Sequence, residues 1–405
     1  MVSLSPLLGC ASQYRVEVFL LQRVDNNDDP LPAPQMRFIG VLEGITKIVW
    51  TRRLRDFSEA EIDLDFNEAS PECCRMFDIL ANSVRVAQIR IWRDDVQVWE
   101  GEVMQTIETT GTTVKSINAR DMIQRLDDTV NHFDLNYVDT PVTDIAFDII
   151  ERNLLDPLYL DPLDDTLILG QIVVEAVTDP DDTISYRPGA KIATVRELLR
   201  ILGQSYGLDF TCINRSIRLQ RRRTTQDQTY ARLDTQHLIG EADARSNGNE
   251  AATRGWATTQ LEDATQPKVG EVDPNWPGIT QNFGVTGSRY GRIDILNRVQ
   301  DNRADAGDVL SSAKRAQWGR NPPPSEILLP TTAQLAPSAP LTMPELVPGM
   351  RIDFFAEDGL CRPIRQGMRL LGVEVTWTPS GANTNDGEDV AVELSTLSDV
   401  TGVEP

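Results

Sequence analysis

Ala60-Glu61-Ile62-Asp63-Leu64-Asp65-Phe66 alternates apolar and acidic residues without a break. A helix would scatter these side chains around its circumference. A strand, whose successive residues point to opposite faces, gathers Ala60, Ile62, Leu64 and Phe66 on one side and Glu61, Asp63 and Asp65 on the other. The acid face must meet water, so the chain contains a half-buried sheet. The neighbourhood agrees. Residues 84–92 and 96–107 flank the polar break Arg93-Asp94-Asp95 as a hairpin, and Gly111-Thr112 turns the chain into a strand at 114–119. From Tyr14 to Ala119 strand follows strand directly, without the crossover helices a parallel sheet needs, which predicts an antiparallel barrel or sandwich. A short helix is expected over 120–127, with Met122, Ile123 and Leu126 on one side.

The next stretch changes period. Thr140-Pro141 reads as a cap followed by proline at the first helical position, and Val142, Ile145, Ala146, Ile149, Ile150 and Leu154 form one apolar stripe. A second helix starts at Thr194, with Glu197 placed for a capping box. Its stripe is Val195, Leu198, Leu199 and Leu202, and it stops near Gly207. Leu208, Phe210 and Cys212 then alternate, Asn214-Arg215 can turn, and Ile217 and Leu219 alternate again: a hairpin packed on the helix. Residues 134–228 thus form an α+β unit.

Residues 226–277 are polar and weakly patterned, which predicts long loops with one or two strands. A helix is expected over 304–318. Asn321-Pro322-Pro323-Pro324 and the prolines up to Pro348 predict a stiff surface connector and not a sheet interior. Strands return at 350–355, 371–377 and 390–394, with a turn-rich segment at 379–388. The expected fold class is mainly β with an α+β insert, and strand-rich ends around the insert are compatible with two related barrels. The boundaries read as 1–133 for an N-terminal β-barrel, 134–228 for the α+β domain, 229–345 for a loop-rich segment with one helix and the proline-rich connector, and 346–405 for strands completing a C-terminal barrel.

Length and charge bound the function. The 405 residues are enough for several domains. Lys and Arg number 39 against 61 Asp and Glu, a net charge of −22, which excludes a Lys/Arg surface that grips phosphate backbones. The cysteines, Cys10, Cys73, Cys74, Cys212 and Cys361, are odd in number and irregularly spaced, and are expected to be reduced and buried. The adjacent Cys73-Cys74 pair reads as packed thiols. The N-terminus lacks a basic start before an apolar run, and no stretch approaches the ~18 apolar residues of a membrane span. A soluble protein of a reducing compartment is expected.

Motifs for chemistry are scarce. With His132 and His237 the only histidines, clustered imidazole sites are closed off, and His132 is expected to sit beyond a helix end in a structural role. HExxH, P-loop and nucleophile-elbow signatures are absent, and Gly284, Gly287 and Gly291 mark turns. Asp127-Asp128, Asp164-Asp165 and Asp181-Asp182 could in principle serve as acid/base pairs, but among 61 acids close pairs are inevitable and a solvated face is the simpler reading. The loops 156–165 and 179–182 offer oxygens to a hard cation without the EF-hand spacing. Arg218, Arg221, Arg222 and Arg223 lack interleaved aromatics and read as a charged strand end meeting an acidic surface or blocking edge pairing. Trp50, Trp92 and Trp99 read as core and rim packing rather than a sugar platform. No catalytic, cofactor-binding or metal-binding residue is assigned, no cofactor is called, and a non-enzymatic protein is expected.

One resemblance emerges. Trp50-Thr51-Arg52-Arg53-Leu54-Arg55-Asp56-Phe57-Ser58-Glu59-Ala60, then Pro71-Glu72-Cys73-Cys74, the strand at 86–92, Val98-Trp99-Glu100-Gly101 and Asn118-Ala119-Arg120-Asp121 together resemble the N-terminal signature of minor tail proteins from long-tailed phages of actinobacteria. Tyr290-Gly291-Arg292-Ile293 with the helix at 304–318, Leu346-Val347-Pro348-Gly349-Met350, and the strands at 368–377 and 390–394 resemble the later segments of the same family. Residues 226–277 carry none of it.

That family is similar to the hub of phage baseplates and tail tips. The resemblance implies a ring-shaped homotrimer with two β-barrels per chain, which adapts threefold to sixfold symmetry against a distal tail protein or tail-tube ring. It implies further partners: the tape-measure protein, and tail-tip fibre or receptor-binding proteins. DNA would be met only in passage through the channel. The place would be the distal end of the virion's tail, after assembly in the host cytoplasm. Relatives that extend into peptidoglycan-cleaving modules differ from this chain, in which only residues 395–405 follow the last expected strand. A −22 charge suits a lumen that repels DNA. Two rivals remain at this point. A distal tail protein would form a hexameric ring, and a glycan-binding or glycan-cleaving adhesin would depend on a particular carboxylate.

Overall fold

The computed structural model describes residues 8, 13–24, 30–66, 71–155, 172–177, 183–190, 193–221, 229–240, 243–246, 254–259, 269–271, 294–299, 325–328, 333–356, 364–379 and 387–396. The N-terminal part runs β1 (Tyr14–Val24), β2 (Pro30–Val41), β3 (Ile45–Arg53), β4 (Glu59–Asp65), α1 (Pro71–Asn82), β5 (Ala87–Arg93), β6 (Val96–Glu108), β7 (Val114–Arg120) and α2 (Ile123–Asp128). In β4 the alternation acts as expected. Ala60, Ile62 and Leu64 are buried, while Glu59 and Glu61 are exposed. Asp94 and Asp95 both hold positive φ (44° and 70°), the left-handed pair that a two-residue hairpin between β5 and β6 demands.

Helix α1 breaks the expected run of uninterrupted strands. Met76, Phe77 and Leu80 fall on one helical face and pack into the main core, which outweighs the strand-like surroundings. The same helix leaves Cys74 exposed, contrary to the expectation of a packed thiol, whereas Cys212 is buried. Cys10, Cys73 and Cys361 lie outside the described side chains.

The middle of the chain contains β8 (Tyr137–Pro141), α3 (Val142–Ile150) continued by a π-turn at Glu151–Leu155, β9 (Val173–Ala176), β10 (Thr183–Tyr186), α4 (Val195–Tyr206), β11 (Leu208–Ile213) and β12 (Ser216–Arg221). The whole expected stripe of α3 is buried, down to Leu154 in the π-turn. Its cap differs: Pro141 itself is the cap residue, and Thr140 bonds back to Val138. Thr194 caps α4 by accepting from the Glu197 N–H at 3.2 Å, and Gly207 (φ 75°) ends it in the left-handed conformation. A second core, distinct from that of the main sheet, forms from α2, α3, α4 and the β11–β12 hairpin. Each fully buried Leu, Ile or Phe contributes roughly 1.5–3 kcal/mol.

Beyond it follow β13 (Thr229–Asp234), β14 (Leu238–Ile239), β15 (Asp243–Ser246), β16 (Arg254–Thr259), β17 (Val269–Glu271), β18 (Asp294–Val299), β19 (Ser325–Leu328), β20 (Ala333–Leu335), β21 (Arg351–Ala356), β22 (Ile364–Thr378) and β23 (Gly387–Thr396). Strands β13 to β17 are more than the weak pattern indicates, and the helix expected over 304–318 lies outside the described residues. The proline-rich connector is corrected as well. Strand β20 lies inside the sheet between β14 and β23, and Ala339, Leu341, Met343, Leu346 and Met350 are buried in the main core. The prolines are spaced so that the apolar residues between them still reach inward, and Thr342 and Glu345 cap a 3-10 turn over Met343–Glu345.

The two strand-rich ends join in one 13-stranded sheet, ordered β14-β20-β23-β22-β3-β4-β7-β6-β5-β1-β2, with β21 and β13 branching from β22. The splice is the antiparallel pair of β22 with β3, from Gly372 opposite Arg53 to Trp377 opposite Ile48. Among the described residues the pairings close no barrel. Neither does any helix among them have the length and apolarity to cross a membrane.

Candidate functional site

The sheet halves and the α+β unit meet along a seam of buried charges. Glu388, at the start of β23, accepts from Arg93 Nε and Nη2 at 2.6 and 2.7 Å and from Tyr14 Oη at 2.6 Å. Both charged side chains are almost fully buried. The fork geometry matches guanidinium to carboxylate and fixes β5 and β1 against β23. Burial works against the Arg93 cation, yet the hydrogen bonds and charge of Glu388 hold its pKa above the usual value. Tyr14 is pushed well up, first by burial and then by Glu388.

Arg52 of β3 is buried, with no carboxylate paired to it among the described residues. It donates to the carbonyls of Met343 (2.9 Å), Leu346 (3.0 Å) and Val98 (2.9 Å), with its guanidinium 5.2 Å from the Trp50 ring centroid. Burial lowers its pKa to about 10, so it still carries its charge near neutrality. The proline-rich segment is thereby tied to β3 and β6.

Asp209 of β11 is the third junction. It accepts from Arg55 Nε and Nη2 at 3.0 and 2.8 Å, and its other oxygen meets Arg369 of β22. Arg55 follows β3 with φ of 60°, a strained value for a non-glycine residue. Its backbone N–H bonds to Phe210 O at 2.8 Å, so the bend is fixed at both ends. Burial lowers Arg55 to about 10 and Arg369 to about 9. Gly203 of α4 makes room: a Cβ there would stand 2.9 Å from Leu208 O and 3.2 Å from Arg55 Cδ.

Two further contacts complete the seam. Arg215, in the β11–β12 turn, reaches Glu100 of β6 and Gln88 of β5, and Arg90 Nε joins Glu100 at 3.1 Å. Asp121, where the chain leaves β7, accepts from the N–H groups of Ser58 and Ile123, both at 3.0 Å. Burial raises its pKa to about 7, against the hydrogen bonds from Ser58 and Ile123 that favour the carboxylate.

The residues singled out from sequence fall into structural places. Asp127 and Asp128 pair with Arg196 (3.1 Å) and Arg85. His237 Nδ1 accepts from the Asp234 N–H at 3.0 Å inside a 3-10 capping turn. His132 is exposed past α2. Trp50 and Trp99 are core, and Trp92 bonds to Glu17 at 2.9 Å. Arg218 pairs with Glu175 across β12 and β9 at 3.3 Å. Asp164, Asp165, Asp181, Asp182, Arg222 and Arg223 lie outside the described residues. Among the described residues no cluster of His, Cys, Asp or Glu could hold a metal ion. The sheet bears a groove of about 550 Å³ lined by residues that include Thr51, Glu61, Gln105, Asn118 and Glu374, neither enclosed nor flat. Its lining is mixed in charge, with Arg53 and Arg120 beside Glu59, Glu61 and Glu374.

The seam itself was missed from sequence. A signal exists for part of it, a charge in the buried phase of a strand: Arg93 in line with Ile89 and Ile91, and Glu388 in line with Val390 and Val392, whereas Asp209 and Arg369 fall in the phase opposite their apolar neighbours.

No protein-family model and no curated protein matches the chain. Among solved structures it is similar to the 43 kDa tail protein of prophage MuSo2 from Shewanella oneidensis, with 13% identity, 95% of this chain and 99% of that one covered, and a TM-score of 0.54. The prophage tail protein gp18 of Listeria monocytogenes EGD-e is similar at 11% identity over 96% of both chains, with a TM-score of 0.52. A tail protein of Neisseria meningitidis MC58 follows at 12%, over 95% of this chain and 96% of that one, with a TM-score of 0.50. What is shared at such identities is the fold: the chain is built, nearly end to end, like phage tail proteins.

Proposed function

We propose that the chain is a structural protein of a phage tail tip: a homotrimeric hub that closes the tail tube, adapts threefold to sixfold symmetry and opens for DNA ejection. The observation that carries this reading is the end-to-end match in fold to phage tail proteins, 95% of this chain against 99% of the MuSo2 protein. The seam supports it. A part that bears load between tube and host surface must keep its pieces in fixed register, and forked, desolvated ion pairs specify register more sharply than apolar contact alone.

The two-barrel plan enters as part of the proposal. Residues 229–239 pair with β21 at their start and with β20 at their end, so the C-terminal strands curl toward closure. Distal tail or tube ring, tape-measure protein and tip fibres are the proposed partners, and an actinobacterial host follows the sequence resemblance. The role is mechanical and needs no enzyme. Acids lining a lumen would repel the DNA phosphates passing through it, in keeping with the −22 charge. Antibody against the chain is expected to decorate purified virions at the tail end. Decoration along the tube or on the head, or none, contradicts the reading.

A further inference from the structure

Among the described residues two sheet edges, one on each unit, are open and matched. Strand β2 has β1 on one side and, among the described residues, no strand on the other. Leu21 of β1 sends its N–H away from β2, to Val86 O at 3.2 Å, so Met36, paired opposite Leu21, turns its own amide to the free edge. Two residues back, in the same phase, stands Pro34, with Pro32 and Pro30 before it. Prolines in these places have no N–H to offer and block strand addition. The block ends at Pro34. Beyond it Gln35, Arg37, Phe38 and Val41 are exposed, Phe38 by 53%.

Among the described residues strand β9 pairs with β12 alone. Val173 and Val177 donate to Arg215 O (3.0 Å) and Leu219 O (2.9 Å), so the amides of Val174 and Ala176, in the opposite phase, face the free edge. Val173 and Val177 are 54% and 53% exposed, with exposed Glu175 between them.

We propose that β2 of one copy adds antiparallel to β9 of the next, in a head-to-tail contact that closes the ring; this rests on the reading of the chain as a ring-forming hub. Amide phase and charge select the register. Met36 opposite Ala176 exchanges both hydrogen bonds, because both amides face outward. Arg37 then stands opposite Glu175 at a non-hydrogen-bonded position, where side chains come closest. Gln35 meets Val177 and Ile39 meets Val173. A slip by two residues keeps the hydrogen bonds but sets Arg37 against a valine. Arg37 has no ion pair among the described residues, and Glu175 has only its half-exposed contact with Arg218 at 3.3 Å. A second copy supplies in one strand the free edge, the apolar flanks and the opposite charge. The contact is heterologous, the kind that closes rings.

The test is sedimentation velocity of the full chain over a range of concentrations, for wild type, Arg37→Glu, Glu175→Arg and the double exchange, with melting temperatures confirming that each is folded. Wild type is expected to self-associate, each single exchange to weaken association about tenfold or more, and the double exchange to restore it to within about threefold. Association of the single variants equal to wild type, or failure of the double exchange to restore it, overturns the edge pairing and leaves the hub reading standing. A wild-type chain that stays monomeric throughout overturns both.

Discussion

Arg93 and Glu388, 295 positions apart in sequence, form a forked ion pair at 2.6 and 2.7 Å that also receives the hydroxyl of Tyr14. The pair holds the first strands of the chain against the last. Removing one partner leaves a buried charge without its counter-ion, so Glu388→Ala is expected to cost about 3–5 kcal/mol of unfolding free energy. The apolar double change Arg93→Met with Glu388→Leu is expected to recover most of that loss. Urea unfolding of the single and double variants measures both. Equal destabilisation by the two would mean that shape, not charge, decides this contact.

Asp121 gives the stability a pH dependence of definite sign. Its carboxyl is held at about 7 in the folded chain, against 3.8 when solvated. The folded state therefore binds the proton more tightly than the unfolded state, and Asp121's contribution is lost as pH rises from about 4 through about 7. In Asp121→Asn that loss is absent. Urea midpoints between pH 5 and pH 8 are expected to fall in wild type relative to Asp121→Asn, and parallel curves would contradict the assignment.

Gly101 lies where β6 passes β7. A Cβ there would stand 2.3 Å from Arg120 O and 2.3 Å from Trp99 Cη2, and the carbonyl is backbone that cannot rotate away. Gly101→Ala is expected to destabilise by about 1–3 kcal/mol or more, through the displacement of β7. Thermal unfolding followed by circular dichroism reads this directly, and an unchanged melting temperature would show that the strands pass farther apart.

The periodic parts of this molecule were legible in the sequence, and its joints were not. Residues 60–66 gave β4, and the stripe from Val142 to Leu154 gave α3, because burial on one face imposes a period that the residues must show. Helix α1 escaped notice because its inward face, Met76, Phe77 and Leu80, is short and lies among strands. The prolines of 322–348 misled for a different reason. Proline stiffness says nothing about depth, and Leu341, Met343 and Leu346 between them are core. Asp209 meets Arg369, and Arg93 meets Glu388, across separations that no local pattern records. Arg93 and Glu388 leave a trace, a charge where the strand period calls for an apolar residue; Asp209 and Arg369 leave none, because alternation assigns their positions to the polar face. The family resemblance rested on residues around the seam, including Arg52 and Arg55, without revealing that Arg52 is buried on backbone carbonyls and Arg55 is held by Asp209.

The proposed hub is a trimer at the tail end. It is tested most directly by symmetry-free averaging of electron cryo-microscopy images of the tail tips of purified virions, with the chain located by a fused tag. A threefold ring of this chain beneath the sixfold end of the tube is expected. A sixfold ring of the chain, or virions that carry none of it at the tip, would contradict it.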